Sequence, residues 1–171
     1  MLANGGVAAA CALLAMRYGL PLLAAFAGAF AAASADTWGT EIGSVLGGVP
    51  RSIATLRPVA AGLSGGVTFA GTLAEIVGAA AVALASTAID ARLFVPVFAG
   101  GVAGAFVDSL LGATVQSLRF CPRCARACET DPHACGAATA PQRGASWFGN
   151  DAVNFAATLA GALAAGLLVR L

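Results

Sequence analysis

Residues 93–118 read LFVPVFAGGVAGAFVDSLLGATVQSL, an apolar run interrupted by a single charge, Asp108. Crossing roughly 30 Å of hydrocarbon as a helix takes about 20 such residues, and this run supplies them. The run is continuous rather than alternating, which suits a helix and not a barrel strand. Working outward, the same reading places spans at about 20–36, 66–89 and 151–169, with a weaker one at 5–17 that ends on Arg17.

The rest of the composition agrees. Of 171 residues 59% are hydrophobic and 10% charged, whereas a soluble domain carries about 25% charge. An ordinary water-exposed surface cannot be built from this alphabet. Nine Arg, no Lys and eight acids leave a net charge of +1 with no basic tract, so nucleic acid is excluded as a partner. The expected architecture is all-α: a polytopic transmembrane bundle of about five helices, forming one integral membrane domain over 1–171. The short first helix, opening at the second residue, suggests that N-terminal spans of a longer protein precede it. Ala33-Ser34-Ala35 has the look of a signal cleavage site, but no charged region leads it and Arg17 breaks the apolar stretch.

With five spans the loops alternate sides. Arg51, Arg57, Arg119, Arg123, Arg126 and Arg143 fall on one side, and Arg17, Arg92 and Arg170 on the other. The Arg excess places the first group, including the 119–150 loop, in the cytoplasm of a bacterial-type inner membrane. Frequent Gly and Ala predict helices packed backbone to backbone, Gly161 with Ala165 being one such pair.

The chain also repeats itself. Phe26-Ala27-Gly28 lies ten residues before Asp36-Thr37, and Phe98-Ala99-Gly100 lies ten before Asp108-Ser109. Gly5-Gly6-Val7 and Gly65-Gly66-Val67 open the preceding helices, so the repeated unit is a helix pair. A two-span unit repeated in tandem keeps its direction, which brings Asp36 and Asp108 to one membrane face. An ionisable residue at membrane depth is functional or paired. The plainer alternatives are interfacial caps, partners for Arg51 and Arg57, or a chance match in an Ala/Gly-rich chain. Asn4, Asn150, Asp151 and Asn154 collect on the same face, Asn150 or Asp151 being suited to cap the last helix. Glu75, inside the third span, reads either as a bundle-facing or Arg-paired acid or as part of a site.

Between the second and third spans, Gly62-Leu63-Ser64-Gly65-Gly66 leads into a helix start, where free N–H groups and the helix dipole suit phosphate. Such turns often only link helices. Beside Arg51 and Arg57, and facing carboxylates able to hold Mg²⁺, the stretch points to phosphoryl chemistry.

Cys11 reads as a small apolar filler. The other four Cys cluster with His133, the only His. Cys121-x-x-Cys124 followed by His133-x-Cys135 has the spacing of a structural Zn²⁺ site; free thiols or disulfides are the alternatives, the latter disfavoured by a cytoplasmic loop.

These residues resemble the integral membrane family called domain of unknown function 92, or transmembrane protein 19, which includes plant and cyanobacterial phytyl-phosphate kinases. The similar stretches are Leu2-Ala-Asn-Gly5, Ala35-Asp-Thr-Trp-Gly-Thr-Glu-Ile-Gly43, Pro50-Arg51, Gly65-Gly-Val67, Asp108-Ser-Leu-Leu-Gly-Ala-Thr-Val-Gln116, the Cys/His set and Asn150-Asp-Ala-Val-Asn154. The resemblance implies transfer of a phosphoryl group from a nucleoside triphosphate, CTP by preference, to an isoprenyl monophosphate such as phytyl phosphate. The expected roles are Mg²⁺ ligation and catalysis by Asp36, Glu41 and Asp108, and phosphate or nucleotide binding by Arg51, Arg57, Ser64, Gly65, Gly66, Asn150, Asp151 and Asn154. A cation- or proton-coupled transporter and a non-enzymatic membrane scaffold are the competing readings.

Overall fold

A computed structural model describes residues 2–170. Five helices run in chain order: α1 (Leu2–Tyr18), α2 (Leu20–Leu46), α3 (Phe69–Ser86), α4 (Phe94–Thr114) and α5 (Asn150–Leu168). Four of them, α2 to α5 with the short 3₁₀ turn Ala91–Leu93 leading α4, are long and apolar enough to cross a membrane. The protein is therefore an integral, multi-pass membrane protein. The 17-residue α1, the weak span of the sequence, falls short of that length.

Burial is inverted relative to a water-soluble core. The buried apolar residues are mostly Ala, while Leu13, Met16, Phe30, Phe69, Phe106 and Leu163 stand exposed. Lipid tails solvate large side chains as well as a core would, so tight association falls to small residues that let backbones meet. Gly161 on α5 shows this: a Cβ there would lie 2.7 Å from the Gly28 carbonyl oxygen on α2 and 3.1 Å from that of Gly100 on α4. Ala165 borders the same two glycines. The repeat is thus visible in space, with Gly28 and Gly100 occupying equivalent places against one helix.

Local signals explain most boundaries. Gly19, at φ 70°, separates α1 from α2, and Pro21 sits in the first turn of α2, where its missing N–H costs nothing. The Thr68 hydroxyl accepts the Gly71 N–H to cap α3. Asp90 caps the 3₁₀ turn and pairs with Arg92 at 2.7 Å, an arrangement that holds its carboxyl down at about 2.

Helix α4 ends at Thr114, short of the expected 118, because Leu118 already opens a strand, and three further boundaries differ from the sequence reading. Helix α2 continues to Leu46 instead of ending at residue 36. An apolar-run criterion stops near Ala35, but the polar continuation keeps two glycines, Gly39 and Gly43, that pack on Glu75 and on Gly71 and Thr68 at the start of α3. Second, Gly66–Val67 does not open a helix. It is a short strand, β2, paired antiparallel with β1 (Arg51–Ser52). Third, α5 is preceded by Gly149, with no side-chain cap from Asn150 or Asp151, which fall inside the helix.

The 119–150 loop is also more ordered than a linker. It holds a three-stranded antiparallel sheet, β3 (Leu118–Cys121), β4 (Arg126–Cys128) and β5 (Ala140–Arg143), with β3 central. Arg143 fastens this sheet to the membrane helices by donating to the carbonyls of Gly112, at 3.0 Å, and Ala113. These are free carbonyls of the last turn of α4, where a cation also complements the helix dipole.

Candidate functional site

Where α2 and α4 approach their C-termini and α3 and α5 begin, the bundle opens into a cavity of about 390 Å³. Asp36, Glu41, Glu75, Asp108 and Glu129 all line it, with no Lys or Arg among the lining residues. Asp36 and Asp108, ten residues after matching Phe-Ala-Gly motifs, meet here as the repeat predicts. Asp108 lies six residues before the end of α4, about 9 Å of helix rise. Glu75 is six residues into α3, an equal depth. It reaches the cavity by passing over Gly39, whose absent side chain leaves room for the Glu75 methylenes.

Asp36, Glu75 and Glu129 share the cavity lining with Asp108. Its Oδ2 is shut away from solvent with no hydrogen-bond partner. An unsatisfied carboxylate oxygen among like charges is costly unless something cationic joins it. Neither Asp36 nor Asp108 pairs with Arg; among the described residues the ion pairs are Arg92–Asp90 and Arg119–Asp131.

The Gly-rich segment forms one wall. Gly62 and Gly65 have φ of 83° and 75°, a region open to glycine at no steric cost. A Cβ on Gly65 would also strike the Ala113 backbone. The cradle of N–H groups expected here is partly taken, because the Ser64 N–H donates to Glu129 Oε1 at 2.6 Å and the Ser64 hydroxyl to Oε2 at 2.9 Å. Gln116, 2% exposed, adds its Nε2 to the same oxygen at 2.9 Å.

Of the residues picked out in the sequence, Asp36, Glu41, Asp108, Ser64, Gly65, Gly66 and Asn150 line the cavity, and Arg51, Arg57, Asp151 and Asn154 do not. Arg51 turns its guanidinium onto its own hairpin, donating to the Leu56 carbonyl at 2.9 Å. Arg57 and Asp151 are exposed. Asp151 lies about 100° round α5 from Asn150, whereas Asn154 shares the face of Asn150 one turn further along the helix and does not reach the cavity. Missed in the sequence were Glu129 and the hydroxyls of Ser44, Thr68 and Thr72, while Thr37, Thr40 and Ser109 stood in the Asp36 and Asp108 motifs without a role assigned to their hydroxyls. The hydroxyls of Thr40 and Ser44 fall four and eight residues after Asp36 on one face of α2, a spacing that becomes readable only once the helix is known to continue past residue 36. Glu129 gave no signal, since a lone acid in a Cys-rich loop reads as solvated.

A second cluster sits in the loop. One ligand atom from each of Cys121, Cys124, His133 and Cys135 lies within 4.8 Å of all the others. Cys121 and Cys135 sulfurs are 3.7 Å apart, and His133 Nδ1 is 3.2 Å from Cys135 and 3.6 Å from Cys124. Zn–S bonds of about 2.3 Å in a tetrahedron require sulfurs about 3.8 Å apart, so this set fits Zn²⁺. The sulfurs are free thiols, not disulfides. Ala125, at φ 48°, makes the tight turn after Cys124 that brings both sulfurs to one side. The Cys135 thiol, desolvation and the Cys121 thiol together push the Cys124 thiol up to about 11, a resistance to ionisation that a divalent cation relieves. Arg119 braces the cluster by bonding Asp131 at 2.7 Å and Thr139. The Thr139 N–H and hydroxyl, with Arg119, hold the Asp131 carboxyl below its ordinary range. Purified protein should carry about one Zn²⁺ per chain by elemental analysis, set by four ligands, and Cys124→Ser should lose most of it; wild-type protein that takes up no zinc removes the assignment.

Fold and cavity together define a polytopic helical membrane protein with an acidic, Gly-walled cavity where its repeated helices end. The chain belongs to the family described as integral membrane protein DUF92, whose model matches residues 1–162. It is 38% identical over 114 residues to Protein PGR of Arabidopsis thaliana, covering 58% of this chain and 40% of that one. It is 36% identical over 118 residues to the uncharacterized membrane protein MJ0933 of Methanocaldococcus jannaschii, covering 68% of this chain and 50% of the relative. The chain thus spans half or less of these relatives' lengths. No solved structure matches it.

Proposed function

We propose that the protein is a membrane phosphotransferase that converts an isoprenyl monophosphate of the phytyl type to its diphosphate, using a nucleoside triphosphate, CTP by preference, with Mg²⁺. The observation that carries the reading is the meeting of Asp36 and Asp108 in one cavity, beside a Gly-rich wall, with Asp108 Oδ2 buried and unpartnered. Among the described residues no three carboxylates converge closely enough to cage an ion. Asp36, Glu41 and Asp108 are therefore not drawn together as a three-carboxylate set, and the proposed Mg²⁺ would rest on one or two of them, with water and substrate phosphate completing its shell.

With Arg51 and Arg57 turned away, neutralising the phosphates falls to the metal and to backbone N–H groups. An oxygen of the acceptor monophosphate attacks the γ-phosphorus, the β–γ bridging P–O bond breaks, and nucleoside diphosphate departs. The acceptor is already ionised near neutral pH, so positioning and charge neutralisation provide the acceleration rather than a strong base. The isoprenyl tail lies in the bilayer beside the bundle, and the cavity faces the cytoplasm, on the side richer in Arg.

Protein reconstituted in liposomes with labelled nucleotide and isoprenyl monophosphate should form diphosphate with Mg²⁺ and none with EDTA. Absence of product with every nucleotide tested overturns the reading. The lining supports a second one, cation- or proton-coupled transport, since five carboxylates without a basic residue suit a bare cation. Ion flux without nucleotide would mark that outcome.

A further inference from the structure

Glu129 is flanked in sequence by the two halves of the Cys/His cluster, Cys121 and Cys124 before it, His133 and Cys135 after it. It follows directly on β4, whose register with β3 pairs Arg119 with Cys128. Its carboxylate leaves the loop altogether, taking the Ser64 N–H, the Ser64 hydroxyl and Gln116 Nε2. We propose that Glu129 is a positioning residue through which a divalent metal held by Cys121, Cys124, His133 and Cys135 fixes the Gly-rich wall of the cavity.

A metal joining Cys124 to His133 closes the intervening segment into a small loop, removing the freedom that would let Glu129 wander from Ser64. The wall it grips is otherwise held by the β1–β2 pairing at Gly66–Val67, by Gln116 Nε2 donating to the Ser64 hydroxyl at 3.0 Å and by close packing of Gly65 on Ala113, none of which comes from the metal loop. Ile53 N–H donates to the Gly65 carbonyl and Gly66 N–H to that of Leu63, at 3.0 and 3.2 Å, while Gly62 and Gly65 add conformational freedom. Hydrogen bonds to a carboxylate are stronger than neutral ones, so Glu129 supplies the restraint on Ser64 that the metal loop controls. The other tether of the sheet, Arg143, lies outside the Cys121–Cys135 loop and ends on Gly112 and Ala113 of α4, against which Gly65 packs. Metal at the cluster therefore reaches residues 61–67 by way of Glu129. The inference does not depend on phosphoryl transfer, and its test reads no activity.

Amide hydrogen exchange on the full chain in detergent, loaded with Zn²⁺ or stripped with EDTA, measures this directly. Stripping should speed exchange at 61–67 by at least about tenfold, the loss of charge-assisted bonds to Ser64, while 157–165 in α5 stays protected. In Glu129→Ala, exchange at 61–67 should be fast with or without Zn²⁺ although zinc content is unchanged. Glu129→Asp should restore part of the metal dependence. A general contribution to folding would not make the wall's response to zinc vanish with one side chain. Equal exchange at 61–67 in loaded and stripped wild type overturns the proposal. So does a zinc response that survives Glu129→Ala, a rise spread equally over 157–165, or a wild-type protein that binds no zinc.

Discussion

Asp108→Asn should leave the protein inserted in the bilayer and lower Mg²⁺-dependent phosphoryl transfer by on the order of a thousandfold, the scale of removing one well-placed electrostatic group from a site closed to water. The substitution keeps the shape and removes the charge. Oδ2 of Asp108 is buried without a partner, and Asp36, Glu75 and Glu129 line the same cavity. Such a group is a liability to the fold alone, because each neighbour repels it and no hydrogen bond compensates. Asparagine relieves that repulsion. Thermal stability in detergent should therefore hold or rise while turnover collapses, the trade expected where charge is kept for function. Asp36→Asn should behave alike. Asp151→Asn, at an exposed position outside the cavity, should change neither turnover nor stability. Near-normal turnover in Asp108→Asn would remove Mg²⁺ ligation from this residue, and a fall in stability alongside lost turnover would show that the carboxylate supports the fold instead.

How far the site could be read from sequence follows from which physical signals are local. The offset between Asp36 and Asp108 is 72 positions, and the same offset separates Gly28 from Gly100. A shared offset across both an acid and a glycine implies that both helices meet a third element in the same way, and Gly161 is that element. The Cys/His set was legible for a similar reason, since metal ligation fixes spacing along the chain. The continuation of α2 was not, because hydropathy registers what faces lipid and is blind to a polar face turned into a cavity. Arg51 and Arg57 misled because a basic residue beside a Gly-rich turn looks the same in sequence whether it enters the site or, like Arg51, caps its own hairpin. Glu129 depends on a contact 65 residues away in sequence, with Ser64. Only the folded loop creates it.

Gly161→Leu should have the largest effect on stability, because position 161 is where the two repeated helices share a partner. A Cβ there would lie 2.7 Å from the Gly28 oxygen, 2.8 Å from Ala32 Cβ and 3.1 Å from the Gly100 oxygen. Two of these three are backbone atoms of helices that cannot yield singly, so relief requires α5 to move away from both α2 and α4. Overpacking of this kind costs about 1–3 kcal/mol for a small insertion, and a leucine side chain on a helix-crossing point lies at or beyond the upper end. At about 2–4 °C per kcal/mol for a chain of this size, the melting temperature in detergent should fall by roughly 10 °C. Gly161→Ala should fall by less, and Gly5→Ala, where a Cβ meets nothing within 4 Å, should not fall. The displacement also carries to the cavity, since α2 holds Asp36 and α4 holds Asp108, and Asn150 rides on α5 itself. Gly161→Leu should consequently lose turnover even in the fraction that remains folded, the opposite pattern from Asp108→Asn, in which stability and turnover separate. A melting temperature for Gly161→Leu within a degree or so of wild type would mean that the three helices do not close on Gly161, and that the small-residue contact does not hold the two acid-bearing helices together.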